Sequence, residues 1–335
     1  MRHQWHDGPM KVDAIVNRPL AEVAEAARAV EAAGFDGMVT AEIANDPFLP
    51  LVLAAQATTR VDLLTGIAVA FARNPMNVAV IGNDLNRFSN GRFILGLGSQ
   101  IKPHITKRFS MPWSDPARRM REFVLAVRAI WHSWNTGEPL AFRGEFYRHT
   151  LMTPMFDQGP GDVCDPRIFV AAVGPAMTRT VGEVADGLLA HGFTTAAYLR
   201  DVTLVNLDAG LRSAGRSRAD VEVSVPVMCV VGRDDAEIAE RLPALRRQLA
   251  FYGSTPAYRG VLEHHGWGEL GDELNRLSKQ GQWVAMGDAI DDDVVREFAV
   301  VGDPDSVAAE IRSRFAGLVD RVQTGLVDEP LALGT

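Results

Sequence analysis

Short apolar runs alternate with segments of helical period along the chain. KVDAIV at 11–16 reads as a strand, and after it Leu20, Val23, Ala27 and Val30 recur at helical spacing until Gly34 ends the pattern. The couplet repeats. GMVTAE (37–42) precedes a helix opened by DPFLP, and VDLLTGIAV (61–69) precedes a helix that starts at Pro75, is lined by Val78, Ile81, Leu85 and Phe88, and stops at Gly91. RFILGLGS (92–99) is the fourth run, RIFVAAV (167–173) the fifth and DGLLAHGF (186–193) the sixth. VEVSVPVMCVV (221–231) and EFAVVG (297–302) complete eight β-then-α units. Strands apolar along their whole length, each followed by a helix, predict a parallel sheet covered on its outside. Eight of them predict an α/β fold closed as a (β/α)8 TIM barrel, with an open doubly wound sheet of six or seven strands as the alternative.

Two gaps break the rhythm: about 70 residues between the fourth and fifth runs, and about 65 between the seventh and eighth. Long excursions of this kind are usually functional, and insertions after strands 4 and 7 of a barrel would stand over its C-terminal mouth. The first holds a helix capped by Asp115 and started by Pro116, with Met120, Phe123, Val127, Ile130 and Trp134 down one side. The second contains QLAFYGSTPAYRGVLEHHGWG (248–268), which reads as a lid or a substrate-facing segment. Residues 1–10 read as an N-terminal extension and 11–335 as one domain.

Composition narrows the function. A formal charge of −8 and no basic run interleaved with aromatics argue against a nucleic-acid partner or an anionic membrane surface. No apolar run approaches the ~18 residues of a membrane span. The first ten residues lack the apolar core of a secretory signal, so a cytoplasmic protein is expected. Cys164 and Cys229 show no C-x-x-C or zinc spacing and read as small hydrophobes.

In a parallel barrel the chemistry sits where strands end, so the strand ends are the candidates. They offer Glu42, then Ser99 and Gln100 with His104 close behind, then Val173-Gly174-Pro175, then His191. Glu42 has no second carboxylate placed as its partner, which argues against a glycosidase pair. There is no G-x-S-x-G for a serine nucleophile, and His264-His265 lacks carboxylates at ligand spacing, so no metal is expected. SNGRFILGLGSQIKPH (89–104) is not a dinucleotide loop either, because the third glycine would have to stand where Ile101 does. VGPAMTRT (173–180) is more promising. Gly174 allows close approach, and Pro175 opens a helix whose first free N–H groups, at Ala176 and Met177, suit an anion such as phosphate, with Arg179 one turn in.

Together TGIAVAFARNPMNVA, LNRFSNGRFILGLGSQ and AAVGPAMTRTVGEVADGLLAH resemble the bacterial-luciferase-like superfamily, and most of all its branch that uses the deazaflavin coenzyme F420. The resemblance runs from Lys11 to about Arg321. DPFLPL, GLGSQ, RFSMPWS and AFYGSTPAY resemble an uncharacterised actinobacterial sub-branch. The resemblance implies a TIM barrel with the cofactor ring across its mouth. It implies a non-prolyl cis peptide behind the ring, at Ala68-Val69 or one residue later at Ala70, and a cofactor phosphate at Val173, Gly174, Pro175, Ala176, Met177 and Arg179. Ser99 and Gln100 would reach the ring's edge, and Lys102, Lys107 and Arg108 would give the anionic tail a basic exit. Where several F420 enzymes of the superfamily carry an Asp-His pair, this chain has Glu42-Ile43, which leaves Glu42, His104 and His191 as proton-transfer candidates. Phe251, Tyr252, Tyr258 and Trp267 would wall the substrate. The implied activity is hydride transfer between F420 and an unidentified small organic substrate, in a homodimer served by an F420- or flavin-reducing partner enzyme. The alternatives are an FMN-dependent monooxygenase using reduced flavin and O2, and a barrel without turnover.

Overall fold

The computed structural model describes residues 10–325, and eight parallel strands within them close on one another. They are β1 Lys11–Ile15, β2 Gly37–Thr40, β3 Asp62–Thr65, β4 Phe93–Gly98, β5 Arg167–Ala172, β6 Gly187–Ala190, β7 Glu222–Pro226 and β8 Arg321–Thr324. β8 pairs with β7 and with β1, and β3 pairs with β4, so the ring of strands has no free edge. This is the expected TIM barrel, with long insertions after β4 and β7. Of the expected extension at 1–10, all but Met10 lies outside the described residues, as does the end of the expected domain after Gly325.

The eighth strand is not the expected one. EFAVVG contributes Ala299–Gly302, which pairs in parallel with Met228–Val231 as a separate two-stranded ribbon. RVQT at 321–324 closes the barrel instead. Its pattern defeats an apolar scan because its long side chains point into polar layers of the interior. The Gln323 amide donates to Ser224 Oγ at 3.0 Å, and Arg321 is wholly buried among carboxylates. From Arg321, Nε and Nη2 donate to Asp13 (2.9 and 2.7 Å), and Nη1 to Asp62 (2.8 Å) and Glu222 (3.2 Å). Arg167 shares the last two acids. All five stand at or near strand starts, so this ionic cluster plugs the N-terminal end of the barrel.

The barrel helices follow the capping logic of the sequence. They are α1 Leu20–Ala32, α2 Phe48–Ala57, α3 Pro75–Phe88, α4 Pro116–Thr136, α5 Pro175–Val184 and α6 Leu204–Ser213. α7 Asp235–Gly253 and α8 Gly268–Lys279 belong to the second insertion, and α9 Pro304–Phe315 packs beside the ribbon. Asn74, Asp115, Asp234 and Asp303 each cap a helix by accepting backbone N–H bonds, and proline opens α3, α4, α5 and α9. Trp131 and Trp134 of α4 are buried, and the Trp131 indole donates to the Ala79 carbonyl at 3.0 Å. The second insertion builds its own small core from Leu249, Val261, Leu262, Leu274 and Phe298, packed on Phe193 and Met228. That core fixes it over the C-terminal mouth.

Candidate active site

At that mouth the strand ends surround a cavity of about 1090 Å³. Its floor is apolar: Ile15 from β1, Val39 from β2, Gly66-Ile67 after β3 and Gly98 at the end of β4. One side is the β5–α5 turn, with Val173, Gly174 and Met177, and next to it is His191 after β6. The roof is one face of α7, where Arg241, Ala244, Leu245, Gln248 and Tyr252 recur at helical spacing, with Tyr258 beyond.

The glycines of GLGS are explained by this floor. A Cβ on Gly96 would stand 1.7 Å from the Thr65 carbonyl, and one on Gly98 would stand 2.7 Å from the Ile67 side chain. Both glycines make room between β3 and β4. The cis peptide is Gly66-Ile67, two residues before the expected bond. The apolar run VDLLTGIAV holds no marker of that register, whereas the close packing of Gly66 on Val39, where a Cβ would meet Cγ1 at 2.4 Å, exists only in the fold.

Of the residues expected at the site, Ser99, Gln100, Val173, Gly174, Met177, His191, Tyr252 and Tyr258 line the cavity, and Lys102 stands at its rim. Ala68, Val69 and Ala70 are fully buried behind the floor. Glu42 does not face the cavity. Its carboxylate accepts from the Val69 N–H (2.7 Å) and from Arg73 (2.5 Å), tying the end of β2 to the segment behind the floor. Arg73, which also reaches Asp46 at 3.0 Å, is the partner that a search for paired carboxylates does not look for. His104 is exposed on a short turn outside the cavity. Lys107 lies on the same turn, and Arg108 donates to the Ile43 carbonyl at 2.7 Å. Pro175 and Ala176 form the exposed first turn of α5, and Arg179 donates to Asn206 at 3.0 Å. Phe251 is 55% exposed, and Trp267 stacks on His265 within the insertion. Sequence reasoning missed Asn17, Trp113, Arg241, Gln248 and Gln323, all in the lining. The helical spacing of Arg241, Gln248 and Tyr252 was the available signal.

His191 is the centre of the polar wall. The Phe193 N–H donates to its Nδ1 at 3.0 Å, so the neutral ring carries its proton on Nε2 and donates it to Tyr258 Oη at 3.1 Å. Tyr258 stacks on the ring (4.3 Å between centroids) and Tyr252 meets it edge-on (4.8 Å). Burial lowers the His191 pKa from 6.5 to about 4. His191 is therefore expected to stay neutral with Nδ1 unprotonated from pH 8 to pH 5, and ¹⁵N shifts of the imidazole check this. An imidazolium in that range would refute the arrangement. Because the folded value lies below the unfolded one, the unfolded chain takes up the proton first. The stabilisation is complete above pH 6.5 and about 3 kcal/mol is lost as pH falls toward 4. The hydroxyl proton of Tyr258, not used toward His191, is free for a ligand.

The cavity can hold an anion at one place by backbone alone. Gly174 caps α5 without a side-chain hydrogen bond, and nothing stands within 4 Å of where its Cβ would be. The first N–H groups of a helix have no intrahelical partner, and at this end of α5 Gly174 and Met177 line the cavity beside the apolar floor, which suits a flat ring carrying a phosphate tail. Burial pushes the Cys229 thiol in the lining up to about 11, which makes it a poor nucleophile. No metal-holding group of His, Cys, Asp or Glu occurs among the described residues.

Comparison with known proteins is consistent with this geometry. Residues 2–321 match the family model described as luciferase-like monooxygenase. An uncharacterized protein of Mycobacterium bovis is 58% identical over 313 residues, covering 93% of this chain and 92% of its own. The 5,10-methylenetetrahydromethanopterin reductase of Archaeoglobus fulgidus is 28% identical over 82% of this chain and 80% of its own. The structure of the coenzyme F420 dependent tetrahydromethanopterin reductase of Methanopyrus kandleri superposes with a TM-score of 0.76 at 22% identity, over 98% of this chain and 96% of that one, a likeness of fold.

Proposed function

The chain belongs to the luciferase-like monooxygenase family, and from that premise we propose that it is an F420-dependent oxidoreductase acting on a small organic substrate. The observation that carries the reading is the uncapped N-terminus of α5 opening beside the apolar floor. The fold shared with the F420 dependent reductase of Methanopyrus supports F420 in particular. F420, when bound, supplies two electrons as a hydride through its ring. The residues of this chain bind, orient and enclose. Ile15, Val39 and Ile67 would offer an apolar face to the ring, and the amides of Ala176 and Met177 with Gly174 would hold the phosphate. Ser99 and Gln100, which line the cavity, would contact the ring, and Lys102 would attract the anionic tail. Glu42 acts at one remove, holding the Ala68-Val69 segment in place through the Val69 N–H. The insertion after β7 excludes water. Tyr258, its oxygen accepting from His191, donates its hydroxyl proton to a substrate heteroatom.

Quenching of F420 fluorescence on mixing with the purified protein is the expected result, with FMN binding more weakly. The family's description as monooxygenases favours the second reading, a flavin-dependent enzyme using O2 and a partner reductase. Tight FMN binding with no response to F420 would establish it. Tyr258→Phe is expected to keep cofactor affinity and to slow single-turnover reaction about a hundredfold; an unchanged rate removes Tyr258 from the chemistry. A homodimer is also part of the reading. α2 is apolar on its outward side, with Leu49 55% and Val52 42% exposed, and light scattering of the purified chain tests it.

A further inference from the structure

The charge inside the cavity does not follow the charge of the chain. The protein has 42 acidic against 34 basic side chains, yet the described lining includes Lys102 and Arg241 and no aspartate or glutamate. His191 adds no charge, since its ring is neutral. A cavity that is cationic within an acidic protein favours anions and excludes cations.

The two cations serve different sides of the mouth. Lys102 follows β4, and β4 pairs with β5, whose end runs into α5. Lys102 and the α5 N-terminus therefore share one side. Arg241 comes from α7, after β7, and β6 with His191 stands between β5 and β7. Its guanidinium donates one N–H to the Val231 carbonyl of the ribbon, which anchors it and uses one of five donors. Glu237, one turn earlier, has its carboxylate engaged by Arg233 at 2.9 Å and interacts with the Arg241 charge through space only. From Arg241 toward His191 the wall is Ala244, Leu245, Val227 and Met228, interrupted by Gln248. Tyr252 lies eleven positions beyond Arg241 on the helix, a span of about 16 Å.

We propose that the Arg241 end of the cavity is a carboxylate subsite, and that the substrate is an apolar body with an anionic head held by Arg241 beside Gln248. The far end of that body reaches His191, Tyr252 and Tyr258, where the reaction proposed above takes place. Its role as substrate site rests on that function; the binding of the anion does not. The head is discriminated by charge and by the planar fork of the guanidinium, and the body by apolar contact.

Decanoate and 1-decanol serve as probes, titrated calorimetrically into the full chain without cofactor and again with saturating F420. Decanoate is expected to bind more tightly than decanol. Arg241→Met is expected to weaken decanoate at least tenfold while leaving decanol within threefold, and Arg241→Lys, which keeps the charge and loses the fork, to fall between Arg241→Met and the unsubstituted protein. Lys102→Met should leave decanoate unchanged, and F420 should not displace it. Equal loss of both probes, a loss caused by K102M rather than R241M, displacement by F420, or no decanoate binding would each overturn the proposal. Failure of F420 to bind removes the proposed function, and the cofactor-free titrations still decide the subsite. Thermal unfolding of each variant separates a lost contact from a lost fold.

Discussion

Arg321→Met should cost this protein about 3–5 kcal/mol of unfolding free energy, the largest effect expected of any single substitution considered. The arginine is fully buried and bridges Asp13, Asp62 and Glu222 at the base of the barrel. Taking such charges out of water is expensive, and only their mutual attraction and full hydrogen bonding offset the expense. Methionine fills most of the volume and leaves three carboxylates behind. Asp62 and Glu222 keep Arg167, and Asp62 also keeps Lys11 at 3.6 Å. Asp13, wholly buried, loses both of its side-chain bonds. Asp13→Asn added to Arg321→Met should therefore recover part of the loss. Urea unfolding measures both variants, and a loss below about 1 kcal/mol for R321M would show that the cluster contributes little. Acid tests the same cluster. Burial works against the charged form of Asp62, but Arg321, Arg167 and Lys11 outweigh it and hold its pKa below the ordinary 3.8. Its share of stability is present above that ordinary value and is lost as pH falls through the lower folded one.

Gly174→Asp should abolish cofactor binding while leaving the fold at least as stable as before. The site has room for the side chain, and the glycine's φ of −102° suits any residue. Aspartate is among the best N-cap residues, so the new carboxylate would accept the free N–H groups of α5 and stabilise the helix by up to about 1 kcal/mol. The same carboxylate would occupy the place proposed for the phosphate and repel it. Cofactor affinity should fall at least a hundredfold with the melting temperature unchanged or raised. Fluorescence titration against F420 and FMN, read beside thermal unfolding, gives both quantities. Wild-type affinity in G174D would locate the phosphate elsewhere and withdraw the observation on which the proposed function rests.

The cavity-lining residues that were legible beforehand are those tied to a local pattern. Gly174 and Met177 came from a strand-turn-helix signal, and Ser99, Gln100 and His191 from their place at strand ends. Glu42 met the same rule, and yet the fold turns it beneath the floor onto Arg73, thirty-one residues away. Arg241 shows the converse. It lies after the strand-like run that ends in the ribbon, and it faces the cavity because the insertion's own core, built around Leu249 and Leu274, lays α7 across the mouth. No local pattern encodes that placement.

By itself the sequence determined the architecture and the strand-turn-helix at Gly174. Continuous apolar runs demand cover on both faces, proline and glycine punctuate the helices, and these are interactions between near neighbours in the chain. Only the tertiary structure decided which strand closes the barrel, where the cis peptide falls and which charges meet. Arg321 joins Asp13 across 308 residues, and RVQT is a strand because buried carboxylates await its arginine. Burial of a charge depends on partners that the fold alone brings together.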